Sequence, residues 1–205
     1  MKNVLSHPTQ NRQKLAEAVA LYEQGQYALA LKLFLKLVDE GYDEAFIYIG
    51  FIYESDTDAG VANLEKARFY FEQARIRTGR VLAYLGLIRI YLYGGNGLRD
   101  YETAAKYCEL VIDTYEDSLA YFYLGHMYLE GMGIDIDLDM AANNFRKSWE
   151  RGLVFGLAFL GATELRRGHI FTGWWHRIRA GFVALRISVK DSDDWRVQMP
   201  FYPKK

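Results

Sequence analysis

Residues 120–152 read AYFYLGHMYLEGMGIDIDLDMAANNFRKSWERG, and this stretch decides the fold. Its first half places Ala120 and Leu124 four residues apart, on one face of a helix. Its second half repeats that spacing with Ala141 and Phe145. A Gly-x-Gly step separates the halves, and glycine tolerates the left-handed backbone that ends helices and forms tight turns. The stretch therefore predicts a helix–turn–helix hairpin.

Three further residues define this hairpin more closely. Asp137 precedes the second helix, and Asp is a favoured N-cap because its side chain accepts hydrogen bonds from the first backbone amides. Gly152 follows the second helix and is expected to end it. Gly125 lies inside the first helix, where Gly costs about 1 kcal/mol relative to Ala. A glycine at that position predicts close approach by a neighbouring helix.

The same pattern recurs on both sides of this stretch with a period of about 37 residues, which is characteristic of stacked repeats. Tyr53, Tyr91, Tyr128 and Glu164 occupy the same slot in successive copies. The upstream copies are marked by Ala83, Leu87, Gly94, Gly97, Asp100 and Ala104, and by Ala45, Ile49, Gly50, Ala67, Phe71 and Ala74. The downstream copy begins with Gly156, Leu160 and Gly161.

The period and this set of small and aromatic positions resemble the Sel1-like repeat, a relative of the tetratricopeptide repeat. The likeness covers residues from about 15 to 168 and is closest in 120–152. The hairpin at about 11–41 has a short turn that looks more like an ordinary tetratricopeptide hairpin. The resemblance implies an all-α, right-handed α-solenoid of stacked hairpins, and it implies a protein-binding adaptor or scaffold.

The repeat pattern predicts the domain organisation. A repeat region over 1–168 is expected to contain hairpins at about 11–41, 43–79, 80–115 and 117–152, with a partial one at 153–168. Each hairpin can bury its apolar face only against its neighbours, so the repeats are expected to form one continuous solenoid. Residues 169–205 are expected to form an aromatic amphipathic helix and an extended tail.

Composition narrows the class of protein. The 205 residues are 51% hydrophobic and 16% aromatic, which suffices for a folded core. The formal net charge is −1, whereas nucleic-acid-binding proteins usually carry an excess of basic residues. Cys108 is the single cysteine, which favours a reducing compartment. The first eight residues lack the apolar core of a signal peptide, so we expect a cytoplasmic protein.

The residues that could carry catalysis or bind a metal do not form a recognisable pattern. The histidines, none of which has metal-ligand spacing to another, are His7, His126, His169 and His176. The alternating Asp135, Asp137 and Asp139 lack the Gly and Glu that a calcium loop requires further on. Cys108 has core spacing on a predicted helix, so we expect a small buried residue. No enzyme, cofactor or metal is predicted.

In tetratricopeptide-like hairpins the first helix lines the concave side, so its exposed slots are the predicted binding groove. A peptide with both charged and apolar anchors would suit the mixture of aromatic, basic and acidic side chains there. These slots hold Glu44, Phe51, Glu54, Arg89, Tyr93, His126 and Glu130. Ordinary solvated helix positions are the alternative interpretation.

The segment after Gly168 departs from the repeat. At 100° per residue, six large apolar side chains of 171–187 fall within an arc of about 100°. This apolar arc consists of Phe171, Trp174, Trp175, Ile178, Phe182 and Leu185. Burying each would contribute about 1.5–3 kcal/mol, so we expect the last repeat to cover the arc, with one Trp left partly exposed.

The apolar arc leaves other roles open. It could dock a partner or a second copy of the chain, chiefly through Trp174, Trp175, Ile178 and Phe182, or it could lie on a membrane surface. For the whole chain, binding of a partner protein or peptide is the leading hypothesis. A membrane-associated assembly factor and a small-ligand or hydrolytic groove protein are the alternatives. For the hydrolytic alternative, the Ser-x-x-Lys motif of β-lactam hydrolysis does not occur in the sequence.

Overall fold

The computed structural model describes residues 7–55, 63–95, 97–191 and 194–197, and in these residues all regular structure is helical. The helices are α1 His7–Glu23, α2 Tyr27–Asp39, α3 Ala45–Glu54, α4 Leu64–Thr78, α5 Val81–Tyr93, α6 Tyr101–Tyr115, α7 Ser118–Glu130, α8 Leu138–Glu150, α9 Val154–Arg166 and α10 Ile170–Ser188. A turn of 3-10 helix follows at Trp195–Val197. The fold is therefore all-α, as the repeat pattern predicts.

The described chain forms two compact units, and the division falls within α5, after Ile90. In the first unit, α1 packs on α2, α2 on α3 and α3 on α4. In the second unit, helices α6 to α10 pack in the same sequential way. The boundary predicted from the sequence lies elsewhere, after residue 168, where the repeat pattern ends.

Local capping confirms the prediction that Asp137 begins the second helix of its hairpin. Asp137 caps α8 by accepting hydrogen bonds from the amides of Asp139, at 2.9 Å, and Met140, at 2.8 Å. Asn63 and Asp100 cap α4 and α6 in the same way. The backbone amides of these three caps also donate to the carbonyls of Tyr53, Tyr91 and Tyr128, at 2.8, 3.0 and 3.0 Å. The repeated Tyr slot thus receives the same turn-closing hydrogen bond in three copies.

Gly50 and Gly86 make room for an aromatic ring in the core of the first unit. Phe71 on α4 is fully buried. A Cβ at Gly50 would lie 2.6 Å from its Cε1, and a Cβ at Gly86 would lie 2.7 Å from its Cε2. Two helices therefore approach the ring from opposite edges, and only glycine permits both approaches.

Gly125 has the equivalent role in the second unit. A Cβ there would lie 3.0 Å from Cδ1 of the buried Phe145 and 3.2 Å from Cβ of Asn144. The ring of Phe145 also contacts the rings of Phe122 and Phe159, with centroids 5.6 and 5.4 Å apart. The expected close approach at Gly125 is confirmed, and an aromatic cluster lies beside it.

This packing predicts different costs for two substitutions of Gly125. Gly125→Leu is expected to lower the free energy of unfolding by about 1–3 kcal/mol, since the side chain would overlap Phe145. Gly125→Ala is expected to cost much less, because gained helix propensity offsets the mild crowding. Urea unfolding followed by circular dichroism measures both. A Leu variant as stable as the parent would contradict this packing.

The docking of α10 differs from the expectation. Helix α10 does pack on α9, but it does so through small residues, Gly173 and Ala180, which are buried. A Cβ at Gly161 would lie 2.7 Å from the carbonyl oxygen of Gly173, so the two backbones touch. The prediction that the last repeat covers the apolar arc is wrong, because this close backbone contact selects the small-residue face.

The sequence predicts an extended tail, and for residues 195–197 this prediction is wrong. Of its described residues, Trp195–Val197 form the 3-10 helix, which packs against α9 and α10. Residues 192–193 and 198–205 lie outside the described residues.

Candidate interaction surfaces

The predicted groove positions of the first unit include an ion pair that is shielded from water. The guanidinium of Arg89 on α5 donates to both carboxylate oxygens of Glu54 on α3, at 2.8 Å from Nε and 2.5 Å from Nη2. The Glu54 side chain is only 6% exposed and that of Arg89 15%. The nearby phenol of Tyr22 is partly buried, and this burial raises its pKa to about 12. The pair therefore belongs to the packing between helices.

Two other groove positions of the first unit also contact neighbouring side chains. Glu44 forms an ion pair with Arg80, and both residues are partly exposed. Phe51 packs edge-on against the ring of Phe71, with centroids 5.3 Å apart. The guanidinium of Arg89 lies 5.8 Å from the centroid of the Phe51 ring, within range of a cation–π interaction.

In the second unit, Tyr93 and His126 lie together. The Tyr93 hydroxyl and the His126 Nδ1 are 3.1 Å apart and share a hydrogen bond. Burial raises the pKa of the Tyr93 phenol and lowers the pKa of the His126 imidazole, so both side chains are neutral at pH 7. The His126 ring contacts the rings of Phe122 and Phe159, with centroids 6.4 and 5.9 Å away. The histidine is thus part of the aromatic cluster.

Glu130 is exposed at the end of α7 and contacts Arg166 of the next repeat. Nη1 of Arg166 lies 3.3 Å from the Glu130 carboxylate and donates a 2.9 Å hydrogen bond to the carbonyl of Leu129. Within each unit, the groove positions are thus connected by contacts between neighbouring repeats. As binding residues, all seven remain a prediction.

The second unit also contains an open apolar cleft that the sequence did not reveal. It has a volume of about 470 Å³ and lies between α9, α10 and the 3-10 helix. Its lining residues are Val154, Phe155, Ala158, Phe159, Ala162, Arg177, Ala180, Gly181, Ala184 and Val197. Among these, Arg177 alone carries a charge. In the sequence, the cleft corresponds to small residues at helical spacing on α9 and α10. From periodicity alone, such residues are predicted to lie in the core.

A second, more polar cleft of about 650 Å³ lies at the start of α10. Glu164, which takes the Tyr slot of the last copy, is buried there, and its Oε2 lies 2.5 Å from Nδ1 of His169. Burial raises the pKa of the Glu164 carboxyl, but hydrogen bonds from His169 and Arg167 outweigh burial and lower it overall. The carboxylate therefore stays charged and holds the α9–α10 turn together.

The residues predicted for a partner or a second copy on α10 are exposed. Trp174, Trp175, Ile178 and Phe182 are 55%, 64%, 51% and 70% exposed. The expectation of one partly exposed Trp is met by both Trp174 and Trp175. These side chains point away from α9, on the side of the helix opposite to Gly173 and Ala180.

The described residues offer little for catalysis. Within them, no three His, Cys, Asp or Glu side chains form a group that could hold a metal ion. Cys108 is buried, as predicted, and burial raises the pKa of its thiol, which disfavours the nucleophilic thiolate. None of the described helices has the length and apolar character needed to cross a membrane.

Comparison with known proteins shows similarity to Sel1 homologues. The chain is similar to the human protein sel-1 homolog 2, with 27% identity in an alignment of 172 positions that covers 78% of this chain. It is also similar to the mouse protein of the same name, with 30% identity in an alignment of 133 positions that covers 63% of this chain. These likenesses support the resemblance to Sel1-like repeat proteins.

Solved structures show the same likeness at the level of the fold. A Sel1 repeat protein from Oxalobacter formigenes matches with a TM-score of 0.67 and 18% identity, over 92% of this chain and 84% of that one. Yeast Tom70 matches with a TM-score of 0.61 and 14% identity, over 96% of this chain and 44% of that one. The Sel1-like chain therefore has the fold of Sel1-like and tetratricopeptide-like solenoids. No protein-family model matches the sequence.

The curated relatives are much longer than the Sel1-like chain. The chain spans 24% of the human relative and 19% of the mouse one. The likeness thus covers a minor part of each relative. The solenoid fold itself is typical of scaffolds for protein interaction and is typically non-catalytic.

Proposed function

We propose that this Sel1-like protein is an adaptor that binds a partner protein or peptide through its repeats, with the apolar cleft of the second unit as a principal contact. The observation that carries the proposal is the cleft itself, about 470 Å³ of open apolar space beside α9. A space of this size accommodates one or two large apolar side chains, and buried apolar anchors dominate the energetics of protein interfaces.

The charge at the cleft indicates the kind of peptide that would fit. Arg177 lines the cleft among residues that are otherwise uncharged. An acidic group next to the apolar anchor could pair with its guanidinium in the bidentate geometry that carboxylates favour. The partner sequence is therefore expected to combine a large apolar residue with a nearby Asp or Glu.

The same observations support binding over catalysis. A hydrolytic site needs a nucleophile and a base within hydrogen-bond reach of each other. The described residues that line the cleft contain an arginine but no Ser, Cys, His or carboxylate. The Tyr93–His126 pair is neutral and belongs to the aromatic cluster.

Filling the cleft is expected to weaken binding. Peptides would be selected on the full chain from a phage-displayed random library, and their affinity for variants measured by isothermal titration. Ala158 lies within the cleft lining, so Ala158→Trp should weaken the selected peptides at least about tenfold. Arg177→Gln should weaken only the peptides that carry an acidic residue.

A matched substitution provides the control. Ala28 is exposed on α2, so Ala28→Trp adds the same side chain elsewhere and should leave affinity unchanged. If the Ala158→Trp variant, folded by circular dichroism, binds every selected peptide as tightly as the parent does, then the cleft is not the binding site.

A further inference from the structure

Helix α10 presents a row of large apolar side chains to solvent along its whole length. The six residues of the apolar arc are between 51% and 92% exposed, with Phe171 the most exposed. Val189, at 79%, continues the same line at the C-terminal end. From Phe171 to Val189 the row is about 27 Å long at 1.5 Å per residue. Soluble surfaces rarely expose so long an apolar stripe without a function.

The orientation of the apolar arc is set by packing on the opposite side of the helix. The buried residues Gly173 and Ala180 lie about 180° around the helix from the centre of the arc, at 100° per residue. At Gly173 the contact with α9 is a close backbone approach to Gly161. Since α10 already has its partner on that side, the apolar arc faces outward in the folded protein.

Basic side chains border the apolar arc on both sides. Arg179, Arg186 and Lys190 lie within about 60° of one edge and Arg177 within about 60° of the other. All four are exposed. Residues 168–190 contain no Asp or Glu, and the first acidic residue after the helix is Asp191. The arc is therefore an aromatic and aliphatic face framed by positive charge.

We infer that this face of α10 docks on the surface of an anionic lipid bilayer. Tryptophan and phenylalanine side chains partition into the boundary between head groups and acyl chains, and flanking arginines pair with anionic head groups. In an isolated interfacial helix, the face that points away from the membrane is polar. In α10 the corresponding face consists of small residues, and it packs on α9. The folded repeats would thus be held at the membrane, with α10 parallel to its plane.

The charge pattern favours lipid over a second copy of the chain. Two apolar arcs packed against each other would bring their bordering arginines together, and like charges repel. An anionic membrane instead complements the positive border, which runs from Arg177 to Lys190. A self-association site is the alternative that the experiment must distinguish.

Vesicle flotation tests the inference on the full chain. The parent should float with phosphatidylserine/phosphatidylcholine vesicles at low salt and much less with pure phosphatidylcholine. Phe171→Ser combined with Phe182→Ser should reduce partitioning at least about tenfold, since these two side chains would insert. Its control, Phe69→Ser with Ile76→Ser, removes exposed apolar side chains of α4 and should float like the parent.

A charge variant tests the border of the apolar arc. Arg179→Gln combined with Arg186→Gln should weaken binding to anionic vesicles about thirtyfold, from the usual contribution of each cation near a charged surface. Its control, Arg12→Gln with Arg68→Gln, removes two exposed arginines of the first unit and should have no effect.

Three results would overturn the inference. The first is failure of the parent to float with anionic vesicles at low salt. The second is unchanged flotation of the variant lacking Phe171 and Phe182. The third is sedimentation of the parent as a dimer that those two substitutions dissociate, without flotation, which would assign the apolar arc to a second copy of the chain.

Discussion

Arg89→Ala is expected to lower the free energy of unfolding by about 3–5 kcal/mol, because it leaves the carboxylate of Glu54 without its paired cation in a site that is 6% exposed. Such a loss is a large fraction of the stability of a typical domain. Arg89→Lys should retain part of the stability, since an ammonium keeps the charge but cannot donate two parallel hydrogen bonds. Urea unfolding followed by circular dichroism measures both.

Two control variants separate the buried pair from ion pairs in general. Lys14 pairs with Glu40 at 2.6 Å, but their side chains are 37% and 40% exposed. Lys14→Ala should therefore cost less than about 1 kcal/mol. The double variant Glu54→Met with Arg89→Met should recover most of the stability, because apolar residues of similar length need no counter-charge. A loss in the double variant as large as in Arg89→Ala would contradict this explanation.

Gly161→Val is expected to detach α10 from α9 and to lower the free energy of unfolding by about 3 kcal/mol. A Cβ at Gly161 would lie 2.7 Å from the backbone oxygen of Gly173 and 3.1 Å from the backbone nitrogen of Arg177. Backbone atoms cannot move aside by changing rotamer, so the whole of α10 must shift. Urea unfolding measures the loss, and near-ultraviolet circular dichroism should report the changed surroundings of the tryptophans.

Gly181 supplies the matched control for Gly161. It lies on α10, and a Cβ there would meet nothing within 4 Å. Gly181→Ala should therefore stabilise the protein by about 0.5–1 kcal/mol, since Ala has the higher helix propensity. A Gly161→Val variant with parental stability and parental tryptophan signals would show that the two helices do not cross so closely.

Local features of the repeat could be predicted from the sequence because they depend on residues that are near one another in the chain. The Asp137 cap is one such feature, since its carboxylate bonds amides two and three residues away. The buried Cys108 followed from helical spacing, and the close approach at Gly125 from a small residue inside an apolar helix face. In each case the side chain's chemistry and its position along the helix were sufficient.

Features of the candidate surfaces were harder to predict, because they depend on which helices meet. Glu54 and Arg89 were both predicted as groove positions, but nothing in the sequence indicates that their side chains pair across 35 residues. The apolar cleft was missed for the same reason. Its alanines and glycine on α9 and α10 resemble core positions until the distance between those helices is known.

Helix α10 separates what the sequence determined by itself from what the tertiary structure decided. The sequence determined that its large and small apolar residues lie on opposite faces, since 3.6 residues per turn sorts them without any partner. Hydrophobicity alone favoured burial of the large face, including Phe171 and Trp174. In the tertiary structure the small face is the one that is buried. The backbone of α9 at Gly161 lies so close to Gly173 that aromatic rings would not fit between the two helices. Helical periodicity specifies which residues share a face, whereas the shape of the neighbouring helix decides which face it can bury.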